Sequence, residues 1–252
     1  MLWGTENWIL PPEEIAADFP LLIKFIDPHK DLSIQVHPNE AYAKKHGLPH
    51  GKTEMWVVTD ATPDAYLYCG LDQPLTPEQY ADRVADGTIA EVLRRYTPRK
   101  GDCFYLPAGR IHALGAGAQV CEIQQNINIT FRIFDYNRRD SLGNLRELHI
   151  PQAAECIDYT VLDDYQTHYQ TEPNRPTPLV QCPFFATSLL DLNGSVTREN
   201  ASGRCVLVCM EGSVQLQTPD TIQTIGAQTA VLLTDCTSFV LNGQARLLEV
   251  VY

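Results

Sequence analysis

The sequence predicts a mainly β protein that is built from two barrels in tandem and carries a small helical insertion at about residues 76–96. Short apolar runs with period-two alternation recur from residue 21 onward, and turn-forming residues separate them. A cluster of three prolines, Pro173, Pro176 and Pro178, divides these runs into two sets. The second set resembles the first, because glycine turns again lie between alternating strands.

This division predicts a domain organisation. We expect a metal-binding domain over residues 1–135, a connecting segment over 136–178 and a second barrel over 179–252. The last range contains no histidine, so we expect it to hold no metal.

The first strands and helix follow from local patterns. The apolar run at 21–26 and the alternating run at 32–37 predict two strands joined by a turn. Residues 39–46 predict a short helix, because Asn39 is a good N-cap residue and Gly47 ends the run of helix formers.

The remaining elements of the first domain are five strands and the helical insertion. Thr76 can cap a helix, and apolar residues recur at helical spacing up to residue 96. Strands are expected at 54–58, 65–70, 102–106, 118–124 and 130–134.

Composition and charge exclude several function classes. The net charge of −12 would repel phosphate backbones, so nucleic acid is a poor candidate partner. No apolar run approaches the ~20 residues of a membrane span, and the N-terminus lacks the pattern of a secretory signal. We therefore expect a soluble cytoplasmic protein, in which the eight cysteines act as small buried hydrophobes.

Four residues predict a metal site. Gln35 and His37 are two positions apart on a predicted strand, so their side chains lie on the same face. Glu54 and His112 belong to other predicted strands and can complete the set. Imidazole nitrogen with carboxylate and amide oxygen suits a borderline ion such as Zn²⁺, one per chain, with a coordination position left open for water or substrate.

An ordered set of motifs resembles the type I mannose-6-phosphate isomerases of the cupin superfamily. The strings are Leu32-Ser-Ile-Gln-Val-His-Pro38, Gly51-Lys-Thr-Glu-Met-Trp56, Gly101-Asp-Cys-Phe-Tyr-Leu-Pro-Ala-Gly-Arg-Ile-His112, Glu122-Ile-Gln-Gln125 and Arg132-Ile-Phe-Asp-Tyr136. The resemblance implies a zinc isomerase of carbohydrate metabolism that interconverts mannose 6-phosphate and fructose 6-phosphate. It implies Gln35, His37, Glu54 and His112 as zinc ligands, and Ser33, Lys52 and Arg132 as residues that bind or orient the sugar phosphate.

Two departures from the family pattern leave an alternative open. The N-terminal region is short, with Trp3-Gly4 and Glu6-Asn-Trp8 almost adjacent, and Asn128 stands where many members carry an aspartate. The alternative is a cupin that binds a metal and a sugar phosphate without turnover.

The chemistry of an aldose–ketose isomerase assigns roles to three residues. Glu122 is the preferred base for moving the proton, although Lys52 or a metal-bound water could share this work and Glu122 could merely accept a hydrogen bond. Arg132 offers a bidentate fork for phosphate; it could instead pair with Asp135 or Glu122. We expect a monomer or a weak homodimer.

Overall fold

Antiparallel strands are the main secondary structure of the computed structural model, which describes residues 3–9, 18–139, 142–200 and 202–252. The described chain divides into two compact units. The first comprises residues 3–8 and 21–166, and the second comprises 167–252 with the described part of 9–20. The units therefore divide within the expected connecting segment, and the three-part domain organisation stays a prediction.

The first unit contains two antiparallel sheets. In chain order its strands are β1 (Gly4–Ile9), β2 (Leu21–Pro28), β3 (Ile34–Val36), β4 (Glu54–Ala61), β5 (Leu67–Leu71), β6 (Leu93–Tyr96), β7 (Cys103–Leu106), β8 (His112–Leu114), β9 (Ala118–Gln125), β10 (Phe131–Phe134) and β11 (Gln166–Thr167). One sheet has the order β1-β2-β9-β4-β7-β11, and the other has the order β10-β3-β8-β5-β6.

Side-chain alternation divides the residues of these strands between two apolar cores. Residues from both sheets, such as Trp56 and Val120 of one and Leu114 of the other, pack together in one core. The alternate positions of the second sheet, among them Ile34 and Ala113, pack in another core with residues of the helices. Polar residues that alternate with Ile34 and Ala113 along the strands of the second sheet therefore face the first core.

The helices cover one face of the second sheet. Asn39 caps α1 (Glu40–His46), Thr76 forms a capping box with α2 (Pro77–Ala85), and α3 spans Ile150–Cys156. Within the range 76–96 that was expected to be helical, α2 is followed by a separate 3₁₀ turn at Ile89–Val92. The last four residues of the range form β6 instead. These residues pair with β5, so strand pairing prevails over their helical spacing.

The second unit is one antiparallel sheet with its own apolar core. Its strands are β12 (Thr177–Gln181), β13 (Ala186–Glu199), β14 (Cys205–Gln217), β15 (Ile222–Gly226), β16 (Thr229–Leu233) and β17 (Ser238–Val251). The sheet order is β12-β13-β17-β14-β15, and β16 also pairs with β14. Leu190, Leu207, Leu241 and Leu247 are fully buried in its core.

The cysteines lie mostly in the cores. Six of the eight are buried: Cys69, Cys103, Cys121, Cys156, Cys205 and Cys209. This burial is what their interpretation as small hydrophobes requires. No helix in the described ranges has the length and apolarity needed to cross a lipid bilayer.

Candidate metal centre

Strand register brings the predicted metal ligands together. Gln35 of β3 is paired directly with His112 of β8, and both are turned away from the helix-covered core. Glu54 starts β4 on the facing sheet. It lies two residues before the core residue Trp56 and therefore on the same face of the strand. His37 directly follows β3, and its carbonyl accepts a hydrogen bond of 3.0 Å from the amide of Gly109 in the turn before β8.

The potential ligand atoms of these residues lie close to one another. Nε2 of His37 is 3.2 Å from Oε2 of Glu54, and Nε2 of His112 is 3.3 Å from Oε1 of the same carboxylate. The amide nitrogen of Gln35 lies 3.2 Å from Nε2 of His112. Bonds of about 2.0–2.1 Å to a tetrahedral zinc ion imply ligand separations of about 3.3 Å, which the two contacts between histidine and carboxylate match; the ligand atom of Gln35 would be its amide oxygen.

The hydrogen bonds and burial favour the metal-binding forms of both histidines. Nδ1 of His112 donates to the carbonyl of Arg110 at 2.8 Å, so Nε2 carries the lone pair that a metal ion requires. Burial lowers the pKa of both imidazoles, and the nearby charge of Lys52 helps to lower the pKa of His37 to about 3. Burial alone would raise the pKa of Glu54, but Lys52 and then His37 hold it well below its usual value.

Unmet polar atoms support a cation at this place. Both carboxylate oxygens of Glu54 are buried beside the two imidazoles, and neither accepts a well-aligned hydrogen bond from the described residues. The ammonium of Lys52 lies 3.0 Å from Oε2 of Glu54 and 3.1 Å from Nε2 of His37. Buried polar atoms of this kind are costly unless a ligand satisfies them. The donor set therefore fits a divalent cation.

A cavity of about 280 Å³ adjoins this cluster. The predicted residues Ser33, Gln35, Lys52, Glu122 and Arg132 all line it. The lining also includes residues to which the sequence analysis assigned no role in the site, namely Trp3, Glu6, Trp8, Lys24, Trp56 and Arg146, together with Asn128. The three tryptophans are all those in the chain.

Glu122 is buried at the cavity wall between two partners. Oε1 lies 3.1 Å from the ammonium of Lys24, and Oε2 accepts a hydrogen bond of 2.8 Å from the indole of Trp56. Lys24 also lies 3.1 Å from Glu6. Burial would lower the pKa of Lys24, but Glu122 and Glu6 outweigh it and raise that pKa above its ordinary value.

Sequence reasoning missed Lys24, although the sequence carries a signal for it. A single lysine interrupts the apolar run of β2, and a charge in a buried strand requires a partner. In the structure the partner is Glu122, which lies opposite Lys24 in the β2–β9 pairing.

Arg132 is half-buried and lies opposite Gln35 in the β3–β10 pairing. Its Nη1 donates to the carbonyl of Glu147 at 2.9 Å. Among the described ion pairs, Asp135 pairs with Arg138 and Arg146, and Glu122 pairs with Lys24. Neither of the two alternative partners considered for Arg132 therefore forms a described ion pair with it.

Comparisons with known proteins identify relatives. The structure is similar to that of the mannose 6-phosphate isomerase from Bacillus subtilis, with a TM-score of 0.83 and 30% identity over 93% of this chain and 76% of that chain. The mannose-6-phosphate isomerase ManA of Bacillus subtilis strain 168 is 38% identical over 77% of this chain and 62% of that protein. The probable mannose-6-phosphate isomerase GmuF of the same strain is 43% identical over 59% of this chain and 47% of that protein. No family model matches the chain.

The antiparallel sheets and the buried cluster of His37, Glu54 and His112 define a cupin with a candidate metal centre, so the predicted fold class is confirmed. Its relatives narrow this class to one family. The chain belongs to the mannose-6-phosphate isomerase family. It spans about 62% of the length of ManA and about 47% of that of GmuF.

Proposed function

We propose that this protein is a cytoplasmic, zinc-dependent isomerase that interconverts mannose 6-phosphate and fructose 6-phosphate through an enediol. The observation that carries the proposal is one cavity lined by the ligand Gln35, the ammonium of Lys52, the carboxylate of Glu122 and the guanidinium of Arg132. These groups are the ones that proton transfer within a sugar phosphate requires. Membership of the family supports the same activity and substrate.

Gln35, His37, Glu54 and His112 would hold one zinc ion per chain. Nitrogen and oxygen donors in this number suit zinc, and three of the four, His37, Glu54 and His112, are buried. Bound there, zinc would supply a Lewis acid that polarises oxygens of the sugar.

Glu122 is the proposed base. It takes the proton from C2 of the aldose; the C–H electrons form the C1–C2 double bond, the C1–O1 π electrons pass to O1, and O1 gains a proton to give the enediol. O2 then loses its proton as the C2–O2 double bond forms, and Glu122 returns its proton to C1 to give the ketose. The lysine beside it stays protonated at neutral pH, so Glu122 faces a fixed positive charge. Lys52 is the second candidate for this work, because it also lines the cavity.

Ser33 and Arg132 orient the substrate. The hydroxyl of Ser33 donates to Oε1 of Gln35 at 3.3 Å and lines the cavity, so it contacts both the ligand set and the space for the sugar. Arg132 presents a planar fork that matches a phosphate dianion. The proposed partner is thus a small sugar phosphate, and the proposed assembly is a monomer or a weak homodimer.

A coupled assay for fructose 6-phosphate formation tests the proposal. We expect turnover by zinc-loaded protein, loss of turnover after thorough chelation and recovery on adding Zn²⁺. His112→Ala should reduce the zinc content from about one per chain to near zero. His29→Ala is the control, because His29 is exposed and lies outside both the cluster and the cavity lining. Turnover that survives chelation would refute the metal role.

The second candidate is a cupin that binds zinc and a sugar phosphate without converting them. It is favoured by Asn128, which lines the cavity as an amide where many family members carry a carboxylate. The two candidates differ in one measurement. An isomerase exchanges solvent deuterium into mannose 6-phosphate, whereas a binding protein leaves its carbon-bound hydrogens in place.

A further inference from the structure

We infer that Arg146 is a second phosphate-binding residue, which together with Arg132 holds the phosphate group of the substrate. The inference rests on the proposed function and extends it to a residue outside the recognised motifs. Arg146 lies in the segment between β10 and α3, and it lines the same cavity as Arg132.

Three hydrogen bonds hold this segment against Arg132. The backbone amide of Arg132 donates to Nδ1 of His149 at 3.2 Å, and the amide of His149 donates to the carbonyl of Arg132 at 2.7 Å. The third bond joins Nη1 of Arg132 to the carbonyl of Glu147. The residue that precedes Glu147 is thereby placed beside the Arg132 side chain.

Two positive charges in one cavity favour an anion between them. Burial and then the charge of Arg146 lower the pKa of Arg132, so the two guanidinium charges repel each other. Nε of Arg132 is buried and has no hydrogen-bond partner among the described residues. A phosphate dianion would neutralise both charges and accept these unused N–H groups.

Asp135 neutralises Arg146 only in part, because it also pairs with Arg138. Its Oδ1 lies 3.4 Å from Nη1 of Arg146, at the long end of a hydrogen bond, and it makes a closer contact with Arg138. A guanidinium has five N–H donors, and within the described ranges the side-chain contact given for Arg146 is the one with Asp135, which engages a single donor. The carboxylate instead fixes the position of the arginine.

A binding experiment on the zinc-loaded protein tests the inference. The three tryptophans of the cavity wall make their fluorescence a direct readout of binding by inorganic phosphate or mannose 6-phosphate. Arg146→Gln should weaken both ligands by about 10- to 100-fold, as expected for charged hydrogen bonds. Arg146→Lys should give an intermediate loss, because it keeps the charge without the fork.

Arg83→Gln is the charge-matched control. Arg83 pairs with Glu91 on the helical insertion and does not line the cavity, so its loss should leave both affinities unchanged. Zinc content and the thermal midpoint of each variant establish that it is folded. Wild-type affinity for phosphate in folded Arg146→Gln or Arg146→Lys would overturn the inference.

The pH dependence provides a second test. The second pKa of a phosphate monoester is about 6, so wild-type affinity for mannose 6-phosphate should rise as pH increases through this value, and the rise should flatten in Arg146→Gln. An unchanged pH profile would contradict paired recognition of the dianion.

Wild-type protein that binds the sugar phosphate through Arg146 but does not isomerise it refutes only the proposed function. Isomerisation with an unchanged KM in Arg146→Gln refutes only the inference.

Discussion

The side chain of Glu122 has surroundings that two different roles can explain. It lies in the cavity wall, where a substrate carbon can be reached, and it also forms half of a buried ion pair with Lys24. A neutral amide at this position cannot transfer the proton, whereas a loss that comes only from the broken ion pair should also follow when another partner of Lys24 is neutralised. An isosteric substitution therefore separates the two roles.

Glu122→Gln should lower kcat by about 10²- to 10⁴-fold if the carboxylate transfers the proton. Zinc content should not change, because Glu122 contacts none of the four proposed ligands in the described structure. Glu6→Gln is the matched control, since it removes the other carboxylate that pairs with Lys24. Equal losses of kcat in the two variants would show that Glu122 acts only through its ion pair.

The sequence predicted some residues of the site and not others for physical reasons. Gln35 and His37 could be identified because alternation fixes which residues of a strand share a face. Lys24 left a local signal, a charge within an apolar run, that was not used. Arg146 left no comparable signal, because its position depends on a chain segment that returns to Arg132.

Among the elements, β5 shows how a glycine and an aromatic ring can fix a strand. Gly70 has a φ of +75°, and a Cβ there would lie 2.1 Å from the ring of Tyr165. The hydroxyl of Tyr165 donates to the carbonyl of Leu71 at 3.0 Å, so the ring cannot easily move aside. The strand accepts this ring only because residue 70 lacks a side chain.

Gly70→Ala should therefore cost more than its backbone conformation alone. Gly47, the C-cap of α1, has a φ of +69° and open space around its Cα, so Gly47→Ala measures the conformational cost of about 1 kcal/mol. The clash should add roughly 1–3 kcal/mol for Gly70→Ala. Urea denaturation gives both free energies of unfolding, and equal losses would contradict the packing explanation.

The helices show where local patterns are sufficient and where they are not. The caps Asn39 and Thr76 are visible in the sequence, and α1 and α2 begin after them. The seven residues of α3 lie in a polar, turn-rich segment and were not predicted. A helix this short is marginal by itself, and buried contacts of Ala153 and Cys156 with the core stabilise it.

At the scale of the whole molecule, buried thiols link stability to alkaline pH. Burial raises the pKa of Cys69, Cys156 and Cys205 to about 12. The folded chain keeps protons that the unfolded chain releases above pH ~9. Their contribution to stability is complete below that pH and is lost as the pH rises toward 12.

We expect the free energy of unfolding to fall with pH above about 9, with about a tenfold change in the unfolding equilibrium per pH unit for each such thiol. Tryptophan fluorescence in urea, under reducing conditions, follows the first unit, which contains all three tryptophans. Cys69→Ala should make the decline less steep, whereas the control Cys182→Ala, in the second unit, should not. Identical slopes for Cys69→Ala and the wild type would contradict this linkage.

The pairing of Gln35 with His112 has a consequence for how this chain can change. The candidate ligands and the apolar residues of the same strands obey one alternation, so inserting or deleting a single residue in β3 would turn both sets to the wrong side. Length changes there would damage folding and metal binding together. A homologue could lose the metal and still fold only if individual ligand side chains were substituted. Its strand lengths would then stay the same as those of the metal-binding protein.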